Sequence, residues 1–240
     1  QINIIFNNAF QGTTTFGKPN ASDVIGGIQT DVYKLNTSNT DIPSYKFTKS
    51  VNGSQTQFNV VSSRIRNGDI EEATPLPGNT FGVLYRNDKR GNSSENTGYF
   101  LQFKQGEIYT SGFRINNPTT NEIVNLNTPN INNTDVWLWE LDQNGNFINE
   151  WTKLESTIGS NAIYNSLSSN NRKIYTVVSR DQDQVSLNFA DGSFGDLPNG
   201  NFRVYYRQSN GLSYTIRPAD LQNIFIDFPY VSKSGQRNTL

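Results

Sequence analysis

Apolar and polar residues alternate with period two along most of the chain, and Asn-Gly, Asp-Gly or Pro interrupts the alternation at short intervals. That rhythm predicts antiparallel strands closed by tight turns. In YKFTKSVNGSQTQFNVV, Asn52 and Gly53 both tolerate positive φ, so a type I′ turn pairs residues 45–51 with 55–61. In VWLWELDQNGNFINEW, a two-residue loop at Asn144-Gly145 sets Trp137, Trp139 and Leu141 on one face with Ile148, and Leu138 on the other with Phe147 and Trp151. Both faces are then partly apolar, which predicts a hairpin sandwiched between layers. A third turn, Asn210-Gly211, joins FRVYYR to LSYTIR and brings Tyr206 near Thr215 and Tyr205 near Ile216.

Further strands are predicted at IQTDVYKL, TFGVLYR, GYFLQFKQ, KIYTVVSR and VSLNF. Helical signal is thin: a short helix over 219–224 with Pro218 at its first position, and another at ASDVIGG near Ser22. The predicted fold class is therefore mainly β, with antiparallel hairpins forming one or two β-sandwich-like lobes and few short helices. Two polar, turn-rich stretches interrupt the strands, NDKRGNSSENTG (87–98) and NNPTTNEIVNLNTPNINN (116–133). The first reads as a long mobile loop between strands and a candidate for ordering by a partner. The second reads as a lobe boundary, dividing the chain into an N-terminal β-rich lobe over 1–115 and a second over 116–240 that carries the Trp hairpin and the ADGSFGDLPNG hairpin.

Composition narrows the chemistry. The chain has no Cys and no His, which removes disulfides, thiol nucleophiles, Ser-His and Cys-His triads and every His-containing zinc site. General acid/base work would fall to Asp, Glu, Tyr or Lys. Net charge is −1 with an isoelectric point near 5.5 and no clustering of basic residues, so no nucleic-acid footprint is visible. Mean hydropathy of −0.62 and the lack of a long apolar run argue against a transmembrane segment. The missing initiator Met reads as a fragment or a processed chain. Asparagine is abundant, 34 of 240 residues. A polar, weakly charged, aromatic-bearing chain suits a β protein that faces other protein, and an AT-rich genome would give the same asparagine excess.

The segment VSLNFADGSFGDLPNGNFRVYYR holds the densest signal. Asp191-Gly192 and Asn199-Gly200 are turn dipeptides, Pro198 fixes φ, and Gly195 permits a tight bend beside Phe194, all of which describe a structured hairpin loop. Its rival is a cation site drawing on Asp181, Asp183, Asp191 and Asp196, but the regular ligand spacing of a calcium loop is missing. A glycosidase would need two carboxylates about 5–5.5 or about 6.5–9.5 Å apart. Glu71, Glu72, Glu140 and Glu150 qualify by type, yet Glu140 and Glu150 fall on opposite faces and Glu71-Glu72 reads as a solvated turn. Trp137, Trp139 and Trp151 could form a sugar-stacking platform or pack a core. Tyr205 and Tyr206 point to opposite faces, and the flanking Arg203 and Arg207 suit fork-like pairing with carboxylates of a neighbour. The sequons at Asn20, Asn36, Asn52, Asn92 and Asn132 are what chance gives in so Asn-rich a chain.

Three segments, FGVLYRNDKRGNSSENTGYFLQFKQG, DVWLWELDQNGNFINEWTKL and VSLNFADGSFGDLPNGNFRVYYRQSNGLSY, resemble in that order the baseplate wedge subunit of T4-like contractile-tailed bacteriophages, a relative of the baseplate J-like family. They bracket residues 81–214, and the specific core is Phe189, Asp191, Gly192, Phe194, Gly195, Pro198 and Gly200. The resemblance implies a central or C-terminal piece of a longer structural subunit. In that family two copies associate within each wedge, and further contacts with other wedge proteins close a ring around the tail hub that transmits sheath contraction. It implies a homodimer or ring oligomer in the virion tail baseplate, assembled in the host cytoplasm, with no cofactor, metal, catalysis, nucleic acid or membrane segment. Possible interface positions are then Arg203, Tyr205, Tyr206 and Arg207 beside the motif. The alternative expectation is a carbohydrate-binding or adhesin module built on the three tryptophans.

Overall fold

The computed structural model describes residues 2–6, 19–36, 45–78, 80–91, 93–154, 172–211, 217–221, 224, 226, 229–231 and 236–239. Among these the chain is mainly β, with strands paired antiparallel except where residues 152–153 run parallel to 174–175, and with only two short 3-10 turns, Asp181–Asp183 and Pro218–Leu221. It divides into two compact units. One comprises Gln1–Gly106 and Tyr214–Leu240, the other Glu107–Ser213.

The first unit opens with β1 (Ile2–Phe6), β2 (Ala21–Ile25), β3 (Ile28–Asn36), β4 (Lys46–Val51), β5 (Ser54–Val60), β6 (Ser63–Arg66), β7 (Asp69–Glu72), β8 (Thr80–Asn87) and β9 (Gly98–Gln105). The second unit holds β10 (Glu107–Ile115), β11 (Ile123–Leu126), β12 (Ile131–Leu141), β13 (Phe147–Lys153), β14 (Ile174–Ser179), β15 (Val185–Phe189) and β16 (Gly200–Gln208). The chain then returns to the first unit with β17 (Pro229–Val231) and β18 (Arg237–Thr239).

The division differs from the expected 1–115 and 116–240, and pairing explains why. β10 is hydrogen-bonded along its whole length to β16, so the second unit begins at Glu107. The stretch 116–133 that resembles a linker contains β11, which pairs with β15. At the other end, β17 meets β3 and Leu221 packs with Val51, Phe58 and Phe103.

In the first unit a nine-stranded sheet contains the path β18-β17-β3-β8-β9-β5-β4, with β1 on β9 and β2 on β3. Period-two alternation sorts its side chains into two layers. Tyr33 and Leu35 of β3, Phe81 and Val83 of β8, and Tyr99 and Leu101 of β9 form one core with Tyr45 and Val60. The intervening Val32, Leu84 and Phe100 pack on the opposite face against Ile65 and Ile70 of the β6–β7 hairpin. That hairpin lies so close that a Cβ on Gly82 would sit 2.1 Å from the Ser63 carbonyl oxygen, so only glycine fits beneath it.

Turn chemistry accounts for the local pairings. Asn52 and Gly53 take φ of 49° and 80°, and the two-residue loop sets Val51 opposite Ser54 as the alternation predicts. ASDVIGG is a strand rather than a helix, because Gly26 and Gly27 close the same kind of turn between β2 and β3. The helix expected over 219–224 is confined, among described residues, to the 3-10 turn Pro218–Leu221. The 87–98 loop is tied together: the Asp88 carboxylate accepts the Ser94 hydroxyl, the Thr97 hydroxyl at 2.8 Å and the Arg90 N–H at 2.9 Å. These donors, Ser94 foremost, hold the Asp88 carboxyl below the ordinary carboxylate range.

Tyrosines are prominent in both interiors, and burial makes their ionisation costly. Burial pushes the Tyr45 phenol up to about 12 and raises Tyr33, Tyr99, Tyr175 and Tyr205 as well, with the Glu150 charge adding to the effect at Tyr175. An unfolded tyrosine ionises near pH 10. Because the folded values lie above that, the folded state holds these protons more tightly. This contribution to stability is complete below about pH 10 and disappears as pH rises through the folded values. Urea midpoints should therefore stay level from about pH 8 to about 10 and fall steeply above. A flat profile to about pH 12 would contradict the buried phenols.

Candidate functional site

The segment 189–200 carries the densest motif, and its connectivity differs from a hairpin. The second unit is a seven-stranded curled sheet of order β10-β16-β12-β13-β14-β15-β11. β15 pairs with β14 and β11, and β16 with β10 and β12, so three strands stand between the two in the sheet. Curling brings β15 and β16 face to face across the core, with Phe189 and Phe202 ring centroids 6.2 Å apart. The loop therefore crosses from one side of the curled sheet to the other. Local turn residues cannot distinguish such a crossing from a hairpin, since both need a tight bend between two apolar runs.

Most motif residues have a structural task in that crossing. The Asp191 carboxylate accepts the backbone N–H groups of Ser193 at 2.8 Å and Phe194 at 3.1 Å, and these hold its carboxyl below the usual range. Gly192 takes φ of +87°, beneath the Leu197 side chain. Arg172 clamps the loop, donating to the Asp196 carboxylate at 2.9 Å and to the Gly192 carbonyl at 3.0 Å. Pro198 is buried, Gly200 opens β16, and Phe194 alone of the motif's large apolar residues stands exposed.

Gly195 lies in the bend but not in the left-handed region. It is required for space: a Cβ there would lie 2.6 Å from Ala190 Cβ and 2.7 Å from Ile174 Cγ1. Gly195→Ala should cost about 1–3 kcal/mol by overpacking. A thermal midpoint equal to that of the unaltered chain would show that this close approach does not exist.

β16 continues the site with alternating faces. Phe202, Val204 and Tyr206 enter the core, while Arg203, Tyr205 and Arg207 lie on the opposite face. The expected split between Tyr205 and Tyr206 is thus present. The expected partners differ. Both edges of β16 are occupied, Tyr206 lying opposite Tyr109 on one side and Val136 on the other. Thr215 and Ile216 lie outside the described residues. Arg207 does not reach outward: it donates to Asp135 at 3.0 Å with both side chains almost fully buried, and its guanidinium stands 6.0 Å from the Trp137 ring. Arg203 lies over Phe147 at 5.5 Å.

The Trp hairpin departs from a two-residue loop, for a reason visible in one side chain. The Asp142 carboxylate accepts the N–H groups of Asn144 and Asn146, both at 2.8 Å, and the Asn146 side-chain amide. This widens the turn to residues 142–146. A bulge between Glu140 and Leu141 then sets Leu141 opposite Phe147, while Leu138 still faces Trp151. Phe147 consequently meets Trp139 edge-on at 5.5 Å instead of joining the Leu138 face, and Ile148 is exposed.

The three indoles do not share one surface. Trp151 is 3% exposed within the core, whereas Trp137 and Trp139 are half-buried on the opposite face. Glu71, Glu72 and Glu140 are engaged as well. Glu71 pairs with Arg64 at 2.7 Å, Glu72 with Lys104 at 3.0 Å, and Glu140 accepts Lys173, Asn149 and the Trp151 indole N–H. Among the described residues no group of three Asp or Glu side chains converges to hold a metal ion. No described helix is long and apolar enough to cross a membrane.

Sequence reasoning passed over Asn67-Gly68, whose φ values of 53° and 81° close the β6–β7 hairpin, although its signal equals that of Asn52-Gly53. It also passed over Asp135 and Arg172, the partners of Arg207 and Asp196, because nothing local in the sequence reveals pairings across 72 and 24 residues.

No curated protein and no solved structure matches the chain. A family described as a domain of unknown function, DUF8360, matches residues 1–240, so the chain belongs to the DUF8360 family.

Proposed function

We propose that the chain is a structural component of a contractile-tail baseplate wedge, which associates with a second copy of itself and with other wedge proteins in the ring around the tail hub. The observation that carries this reading is the 189–200 segment, whose residues resemble the wedge-subunit motif and are spent on closing the second unit. Asp191, Gly192, Gly195 and Pro198 turn inward or toward the loop's own backbone, and Asp196 is clamped by Arg172. That allocation suits a scaffold. Glu71, Glu72, Glu140, Asp191 and Asp196 answer to arginine, lysine, amide or backbone partners, and the three tryptophans are divided between two faces. In this role the chain sits in the virion tail baseplate and takes no cofactor.

Co-expression with the other wedge proteins of a T4-like phage tests the reading. The chain should be retained in a stable complex with at least one of them through size-exclusion chromatography. Elution of the chain apart from every wedge protein would overturn it.

A further inference from the structure

The terminal strands of the two large sheets are not alike. β4 carries Lys46 and Lys49, β18 has three residues, and β11 has four. Short edges and edge lysines are ordinary protection against pairing with another chain. β10 has neither. It runs nine residues, EIYTSGFRI, without proline or lysine, and residues 108–113 carry no charge. One side is paired with β16 from Glu107 to Ile115, and among the described residues no strand lies on the other. Tyr109, Thr110, Ser111 and Gly112 are exposed, Tyr109 to 44%.

We infer that β10 is the self-association edge, pairing antiparallel with β10 of a second copy about a two-fold axis at Ser111. The inference rests on the proposed self-association and assigns it a surface. Its occupant follows from symmetry. In an antiparallel two-fold pair, residues opposite one another lie on the same face, so the axis must pass through a residue facing its own copy. Centring on Ser111 uses all nine residues. Thr110 then faces Gly112 and Tyr109 faces Phe113, so only small side chains meet at the middle.

The next pair outward, Tyr109 with Phe113, is complementary as well. Tyr109 stacks on Tyr206 and Phe113 on Phe202, at 6.3 and 5.2 Å, so both aromatics already belong to the core-side layer. Setting Tyr109 beside the second copy's Phe113 continues that aromatic layer from one sheet into the next and covers the exposed Tyr109 ring. Centring one residue to either side sets Tyr109 opposite Ser111 or Ile115 and loses this pair.

Absence of native cysteine makes the register directly readable. Ser111→Cys places two thiols opposite one another, where the Cα separation of a cross-strand pair, about 4.5–5.5 Å, suits a disulfide. Mild oxidation of the full chain should convert it largely to a covalent dimer. Tyr109→Cys alone should not crosslink, since its two copies would be about 14 Å apart along the strands. Mixed with Phe113→Cys chains, it should. A dimer by mass that fails to crosslink through Ser111→Cys would overturn the edge assignment while leaving self-association standing. Equal crosslinking of Tyr109→Cys alone, or crosslinking of Ser111→Cys only to a different polypeptide, would also overturn it.

Discussion

Asp135→Ala is expected to destabilise the second unit by about 3–5 kcal/mol, because it leaves a buried guanidinium without its counter-charge. Arg207 is 1% exposed and Asp135 2%, with Nη1 3.0 Å from Oδ2. Arginine cannot shed its proton to relieve the burial, so the uncompensated charge must be hydrated by opening the structure or tolerated at high cost. The pair itself need not be strongly stabilising. Replacing both partners with apolar residues of similar volume, Asp135→Leu with Arg207→Met, should recover most of the loss. Urea denaturation followed by tryptophan fluorescence would measure both variants. A cost below about 1 kcal/mol for Asp135→Ala would mean that the face of β12 and β16 bearing this pair is open to water.

Trp151→Ala carries the second large effect, about 3–5 kcal/mol. The indole meets Phe189 and Phe202 edge-on at 5.3 and 5.6 Å, joining β13 to both strands that flank the crossing loop. Its N–H donates to Glu140 at 3.3 Å, so truncation opens a cavity and removes a donor from a half-buried carboxylate. Trp139→Ala should cost far less, since Trp139 is only half-buried and its main ring contact is Phe147. The contrast decides what the tryptophans are for. Were Trp151→Ala to leave the urea midpoint unmoved while Trp139→Ala lowered it, the core would lie on the opposite face of the hairpin.

Legibility in the sequence followed the range of the interaction. Where one turn determines the pairing, as at Asn52-Gly53, the two-residue loop and positive φ values were readable from two residues. The Trp hairpin was readable to its existence and to the Leu138–Trp151 pair, but not to its loop. There the Asp142 side chain captures the turn's N–H groups and shifts Phe147 to another face, a choice that depends on one carboxylate rather than on the Asn-Gly dipeptide.

The motif loop shows the limit most clearly. Asp191, Gly192 and Pro198 announced a bend, yet whether β15 and β16 are neighbours depends on β12, β13 and β14 lying between them in the sheet. Gly195 was read as backbone freedom and proves to be a matter of space beside Ala190 and Ile174. Arg207 was read as a hand extended to a neighbour, and Asp135, distant in sequence, accounts for it internally. The candidate interface consequently moves from the β16 side chains to an edge that alternation alone does not mark as exposed.

Sedimentation equilibrium of the purified chain across a wide concentration series tests the central claim, that this protein exists to join its own copies, most directly. The account predicts a mass rising with concentration from 27.0 kDa toward twice that value. A mass that stays at 27.0 kDa throughout would contradict it.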